Sequence, residues 1–265
     1  LWEIYALKYA ERNTRTRADS FIMDDHAAAA HGMDYFVWVL RSGERTIVVD
    51  TGYDTKEAER RDRPILMDPA KCLSALNISP DAVDTVVLTH LHYDHAGALD
   101  QFPNATFHVQ ETEVAYATGP CMCHGHLQLP YTAEHICTLV KRIYSGRVIF
   151  YDGSGEIAPG VRVHRIGGHA RGLQALEIMT ENGPRILASD ATHYYENFIA
   201  KKPFPIVVDM EDMLTGFDRL IQLGGTADAV IPGHDPLVRD LFPAYGHSGF
   251  VWQLHQKLIK PLPSF

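Results

Sequence analysis

The sequence predicts a single domain of mixed α/β class, and three observations carry that prediction. Apolar β-prone runs such as residues 35–40 are separated by tight-turn chemistry, helix signals mark Asp68-Pro69 and residues 210–223, and strand after strand ends in a His or Asp held among small residues. The 265 residues, 46% of them hydrophobic, suffice to bury a substantial core as one unit. A formal charge of −9 and a pI near 5.9 disfavour a surface that grips phosphate backbones, so nucleic acid is not an expected partner. No run of about eighteen apolar residues offers a membrane span, and no stretch reads as a signal peptide. Four cysteines, Cys72, Cys121, Cys123 and Cys137, are too few and too irregular for a disulfide framework, which points to a reducing cytoplasm.

In chain order, residues 4–9 alternate as an edge strand does, and residues 14–30 read as a polar loop with an alanine run. The strong strand at 35–40 turns through Ser42-Gly43-Glu44 into a second at 46–50, a hairpin by its turn residues. Asp68 as N-cap with Pro69 at the first helical position starts a helix through Leu76, closed by Asn77 and Pro80. Residues 84–89 form the next strand, a helix is expected from Asp94 to about Phe102, and residues 106–109 form a further strand in which His108 is an ordinary strand residue. Residues 110–117 look helical. From 118 to 142 periodicity is weak, and the segment reads as an insertion covering a site opening, with Met122, Leu127, Leu129 and Tyr131 as an apolar wall. Its Cys121-Met122-Cys123-His124-Gly125-His126 run spaces its cysteines more closely than structural zinc sites do. Strands follow at 147–151, 161–166, 173–179 and 185–188, the last two joined by the hairpin signal Glu181-Asn182-Gly183. A helix at 210–223 precedes a final predicted strand at 227–231. The apolar piece Phe250-Val251-Trp252-Gln253-Leu254 packs either on its own core or on a second subunit of a homodimer.

The chemistry concentrates in Thr89-His90-Leu91-His92-Tyr93-Asp94-His95-Ala96-Gly97, directly after the buried run Val86-Val87-Leu88. On an extended or tightly turned segment, alternation sends the imidazoles of His90 and His92 one way and Tyr93 the other, so the two histidines can share an ion. Asp94 and His95 leave in a new direction and are candidates for a second ion. Imidazole with carboxylate suits Zn²⁺, with Mn²⁺, Fe²⁺ and Co²⁺ as competitors. Asp50, at the end of its strand, is a candidate to orient a ligating histidine. Gly168-His169, Ser189-Asp190 and Gly233-His234 repeat one pattern, in which a small residue lets a loop turn sharply and aim one side chain.

With Asp50-Thr51-Gly52, the H-x-H-x-D-H run at 90–95, Gly168-His169, Ser189-Asp190 and Gly233-His234 in that order, the chain resembles the metallo-β-lactamase superfamily over nearly its whole length. The resemblance implies an αββα sandwich, two mixed β-sheets face to face with helices outside, as one domain over residues 1–265. It further implies a pair of divalent metal ions at one edge, with His90, His92 and His169 on the first, Asp94, His95 and His234 on the second, and Asp190 bridging. Within the superfamily the chain is most similar to the N-acyl-homoserine lactonase and related lactonase group, which implies a small lactone or ester substrate opened by a metal-bridging hydroxide. Two positions depart from that group's pattern: His193, with Tyr194 beside it, stands where a carbonyl-polarising tyrosine is usual, and Ala170-Arg171-Gly172 follows His169 where Thr or Ser and Pro are usual. His193 or Tyr194 would then steady the oxyanion and Asp94 would carry a proton to the leaving alkoxide. Thioesterases of the glyoxalase II type, β-lactamases, phosphodiesterases and a non-catalytic metal-binding protein are the competing readings.

Overall fold

The computed structural model describes residues 1–265, and the twelve strands it contains build two sheets. In chain order the strands are β1 (Glu3–Arg12), β2 (Met33–Ser42), β3 (Arg45–Val49), β4 (Thr85–Val87), β5 (Thr106–Gln110), β6 (Val148–Tyr151), β7 (Ser154–Ala158), β8 (Val161–Arg165), β9 (Gln174–Thr180), β10 (Gly183–Ser189), β11 (Val230–Pro232) and β12 (Val251–Gln253). One sheet runs β12-β1-β2-β3-β4-β5-β6 and the other β11-β10-β9-β8-β7. Both are mixed: β3 to β6 are mutually parallel and β10–β11 is a parallel pair, while the other pairings are antiparallel.

Alternation along β2 shows how the layers form. Phe36, Trp38 and Leu40 enter the core between the two sheets with Val49, Val163, Leu176 and Leu187. Tyr35, Val37 and Val39 point the other way, into a second core shared with Leu73, Leu76 and Leu139. The run is apolar at every position because both faces are covered. Helices α1 (Thr55–Arg61), α2 (Pro69–Cys72), α3 (Glu111–Ala117), α4 (Gly125–Gln128) and α5 (Ala133–Tyr144) belong to the chain segments that cover the seven-stranded sheet, and α6 (Tyr195–Ile199), α7 (Met210–Gly224) and α8 (Leu237–Leu241) to those that cover the five-stranded one. The αββα sandwich is therefore present. No helix is long and apolar enough to cross a membrane.

Several expectations change in detail. The strand at 4–9 is not at an edge: β12 pairs on its outer side, Tyr5 opposite Gln253 and Leu7 opposite Val251, so the C-terminal apolar piece packs on its own core. Asp68 caps as its sequence requires, accepting from the Ala70 and Lys71 N–H groups, and the helix tightens to a 3-10 turn over Leu73–Leu76. The helix expected at 94–102 is absent apart from a 3-10 turn at Leu99–Gln101. Its backbone groups bond to the β3 exit instead: Thr51 N–H donates to His95 O (2.7 Å), Gly97 N–H to Gly52 O (2.8 Å) and Ala98 N–H to Thr51 Oγ1 (3.1 Å). A Cβ at Gly97 would lie 2.3 Å from Tyr93 O and 2.7 Å from Gly52 O, so only glycine admits this approach. β7 fills the gap between the expected strands at 147–151 and 161–166, and the short helices α1, α6 and α8 carry no clear sequence signal.

Candidate metal centre

Loops leaving one edge of the sandwich supply every candidate ligand. β4 delivers His90 to His95, the β8–β9 loop His169, the β10 exit Asp190, and the β11 exit His234. Asp50 and Ser189, which end β3 and β10, hold left-handed backbone (φ 61° and 46°), and such strain in residues other than glycine gathers where surrounding structure fixes a site. All seven predicted ligands are buried.

The side chains converge in two groups about one carboxylate. Ligand atoms of His90, His92 and His169 lie within 4.8 Å of one another, as do those of Asp94, His95 and His234. Asp190 faces both: Oδ2 stands 3.2 Å from His169 Nε2 and 3.9 Å from His90 Nε2, and Oδ1 stands 3.3 Å from His95 Nε2 and 3.0 Å from His234 Nε2. Asp94 Oδ2 is 3.8 Å from both His95 Nε2 and His234 Nε2.

Which ring nitrogen faces inward is set from behind. His95 Nδ1 donates to Asp50 Oδ2, His169 Nδ1 to the Ile206 carbonyl and His234 Nδ1 to the Asp34 carbonyl, each at 2.7 Å. Carbonyl and carboxylate only accept, so Nδ1 carries the proton and the Nε2 lone pair points into the centre. Thr89 Oγ1, which donates to Asp50 Oδ2 (2.7 Å), accepts from His90 Nδ1 (3.1 Å). Asp50 thus takes the orienting role its position suggested. The Asp34 and Ile206 carbonyls do the same work but are backbone atoms, which carry no mark in a sequence.

Electrostatics favours cations here. Burial and the neighbouring imidazoles hold His90 and His92 far below the ordinary histidine pKa, so both are neutral, as a metal ligand must be. Burial alone would depress His95 as well, but the carboxylates of Asp190, Asp50 and Asp94 outweigh it and draw positive charge to that spot. Burial would likewise raise Asp190, yet His234, His95 and His193 hold it ionised, well below the usual range. The Nε2 atoms of His90, His92, His95 and His169 and the Oδ1 of Asp190 are buried without a hydrogen-bond partner. A buried polar group left unpaired costs about 1–3 kcal/mol, and five aimed at one spot fit divalent cations of the kind that imidazole and carboxylate bind.

Of the two candidates for steadying a carbonyl, the fold brings in only one. His193 Nε2 donates to Asp190 Oδ2 (3.0 Å), its ring stacks on Phe204 with centroids 3.9 Å apart, and burial pushes its pKa down to about 3. Tyr194 turns away: its hydroxyl donates to the Gly32 carbonyl (3.2 Å), and its ring lies 4.3 Å from His31. Cys121, Cys123, His124 and His126 form no cluster that could share an ion, and His108, which pairs with Tyr151, joins none of the ligand groups. A narrow pocket against His92 and His169 is lined by Leu127, Leu129, Pro130 and Tyr131 on one side and residues 206–208 on the other.

The sequence matches the metallo-beta-lactamase superfamily over residues 32–240. It is 28% identical to the N-acyl homoserine lactonase AttM of Azorhizobium caulinodans over 189 residues, 69% of each chain. Identity to N-acyl homoserine lactonase AiiA of Bacillus thuringiensis subsp. kurstaki is also 28%, over 217 residues, 75% of this chain and 81% of the relative. With AiiB of Agrobacterium fabrum it rises to 34%, over 129 residues that span 48% of this chain and 46% of that one. Among solved structures, an N-acyl homoserine lactone hydrolase with N-hexanoyl-L-homoserine at its catalytic metal centre superposes with a TM-score of 0.74 at 23% identity, covering 90% of this chain and 95% of that one. AidC, a dizinc quorum-quenching lactonase, superposes with a TM-score of 0.70 at 16% identity, covering 98% and 96%. At those identities the two structures speak to the fold.

Proposed function

This chain belongs to the metallo-beta-lactamase superfamily, and on that premise we propose that it is a dinuclear metal-dependent hydrolase that opens a lactone ring, with an N-acyl-homoserine lactone as the candidate substrate. One observation carries the reading: six side chains form two groups of three on either side of Asp190, four of them within 4 Å of its oxygens, with their ligand atoms buried and most of those atoms unpartnered. In this reading His90, His92 and His169 would hold one ion and Asp94, His95 and His234 the other, with the Asp190 carboxylate available to both. Zn²⁺ is the ion we favour, since the donor set is imidazole and carboxylate with no thiolate; Mn²⁺, Fe²⁺ and Co²⁺ share that chemistry. When bound, two such ions supply Lewis acidity toward a carbonyl oxygen and bring the pKa of a water toward neutrality.

The chain's own residues orient, exclude water and move protons. Asp94, 8% exposed, is the most accessible of the carboxylates at the centre, Asp50 and Asp190 being more deeply enclosed, and we assign it the proton delivered to the leaving oxygen. His193, clamped between Phe204 and Asp190, gives its one N–H to the Asp190 carboxylate, and we assign it to steady the reacting carbonyl once that carboxylate is drawn to the ions. Leu127, Leu129 and Tyr131 face Ile206 and Val208 beside His92 and His169, so the substituent on the ring meets an apolar wall, and residues 118–142 act as the cover over the opening. The relatives known as N-acyl homoserine lactonases support this substrate class.

The test is a parallel assay of the metal-loaded protein on an acyl-homoserine lactone, a simple lactone, a thioester, a β-lactam and a phosphodiester. Ring opening with acid release, fastest on a lactone, is expected. A metal-replete protein that leaves every lactone intact while cleaving another of these substrates refutes the assignment.

A further inference from the structure

Four of the five histidines in the centre have their second nitrogen fixed by a hydrogen bond; His92 has none. Its ring is held in another way, edge-on against Tyr131 with centroids 4.6 Å apart and planes at 85°. The Tyr131 hydroxyl donates to Glu113 Oε1 (3.0 Å), and the same oxygen accepts from the backbone N–H of Leu91, the residue between His90 and His92 (3.1 Å). Glu113 Oε2 accepts from the N–H of Gly172, in the loop that carries His169 (2.8 Å). That loop presses on the start of α3 so closely that a Cβ at Gly172 would lie 2.3 Å from Glu113 N. Glu113 is fully buried and has no Arg or Lys within ion-pair distance. One carboxylate therefore ties together the segment with His90 and His92, the segment with His169, and the cover carrying Tyr131.

We propose that Glu113 is the positioning residue for His92, and through it for the ion held by His90, His92 and His169. The inference rests on the dinuclear reading above and adds a residue to it. A glutamine at this place has the same shape but offers one acceptor oxygen and an NH₂ group. With N–H donors on both sides, it sets a donor against a donor on one of them. Either the Leu91 or the Gly172 N–H then loses its acceptor, and the two backbones, with the Tyr131 hydroxyl that shares the Leu91 oxygen, are no longer held at the same distance.

The experiment is a competition titration of metal-free protein with Zn²⁺ against a chromophoric chelator, for wild type, Glu113→Gln, His92→Ala and the double variant. Wild type is expected to take up two ions; fewer would sink the dinuclear reading itself, whatever the variants do. Glu113→Gln is expected to weaken one ion by about ten- to hundredfold, the usual cost of losing a residue that orients a ligand, and the other by less than about threefold. In the His92→Ala background the same change is expected to add little, because its effect passes through His92. Should Glu113→Gln not fold, Tyr131→Phe in the same cycle is expected to show the same coupling at about threefold to tenfold. Equal weakening of both ions, no weakening of either, or strictly additive effects of the two substitutions would each overturn the proposal.

Discussion

Asp50→Asn tests the other half of the centre. The Asp50 carboxylate accepts three hydrogen bonds of 2.7 Å, from Thr89 N–H at Oδ1 and from Thr89 Oγ1–H and His95 Nδ1–H at Oδ2. Asparagine fits the space but must place its NH₂ toward one of those donors. If the NH₂ takes the Oδ2 position, it faces His95 Nδ1–H and favours the tautomer with the proton on Nε2, the atom that would bind metal. If it takes the Oδ1 position, the buried Thr89 N–H loses its acceptor. Either arrangement forfeits at least one buried bond, at about 1–3 kcal/mol, which corresponds to roughly fivefold to a hundredfold in an equilibrium constant. His90 feels the change only through Thr89 Oγ1, so the loss should fall mainly on the ion proposed for Asp94, His95 and His234. The assay is stepwise Zn²⁺ competition, with the thermal midpoint of the metal-free protein as a control for general damage. Unchanged affinity for both ions would refute the orienting role, and so would a matched loss at both sites that tracks a drop in metal-free stability.

Three further outcomes are expected. Exhaustive chelation should abolish hydrolysis and added Zn²⁺, Mn²⁺ or Co²⁺ should restore it; activity that survives chelation sinks the metal assignment. His193→Ala should keep two ions by elemental analysis yet lose roughly ten- to hundredfold in turnover, whereas Tyr194→Phe should stay within about twofold because its hydroxyl bonds to Gly32 outside the centre; equal kinetics for the two variants would remove His193 from the scheme. Burial holds His108 at a pKa of about 4, below the ordinary histidine value, so between about pH 6.5 and pH 4 the unfolded chain takes up a proton that the folded one refuses. Wild type should therefore lose stability relative to His108→Gln as the pH falls through that window, by on the order of 2 kcal/mol, and denaturant titrations at its two ends read this directly.

The centre was legible where its chemistry is written in side chains and spacing. His90 to His95 are contiguous, and His169, Asp190 and His234 each follow a small residue at a strand exit, so these seven stand out as candidate ligands in the sequence once its family resemblance is taken with them. The supports were not legible, because they are set by tertiary contact. Ala96-Gly97-Ala98-Leu99 has the composition of a helix start, and only the Thr51-Gly52 backbone alongside it diverts its hydrogen bonds. β12 lies over two hundred residues from β1, the strand it pairs with, and no local pattern announces that pairing.

Glu113 is the sharpest case. As an acid in the first turn of α3 it reads as an ordinary complement to the helix dipole, yet its side chain turns inward to three donors from three separate segments. A helix-dipole role would be served by an exposed carboxylate that water could solvate. Burying this one without a basic partner raises its pKa above the ordinary carboxylate value, against the pull of its three donors. The same reasoning separates the two carboxylates behind the centre. Asp50 acts on His95 by direct contact, so its loss should alter a tautomer; Glu113 acts on His92 through Tyr131 and backbone, so its loss should alter a distance. If each substitution weakens a different ion, the two ions are held by separately tuned supports, and their affinities can be changed one at a time without touching a ligand.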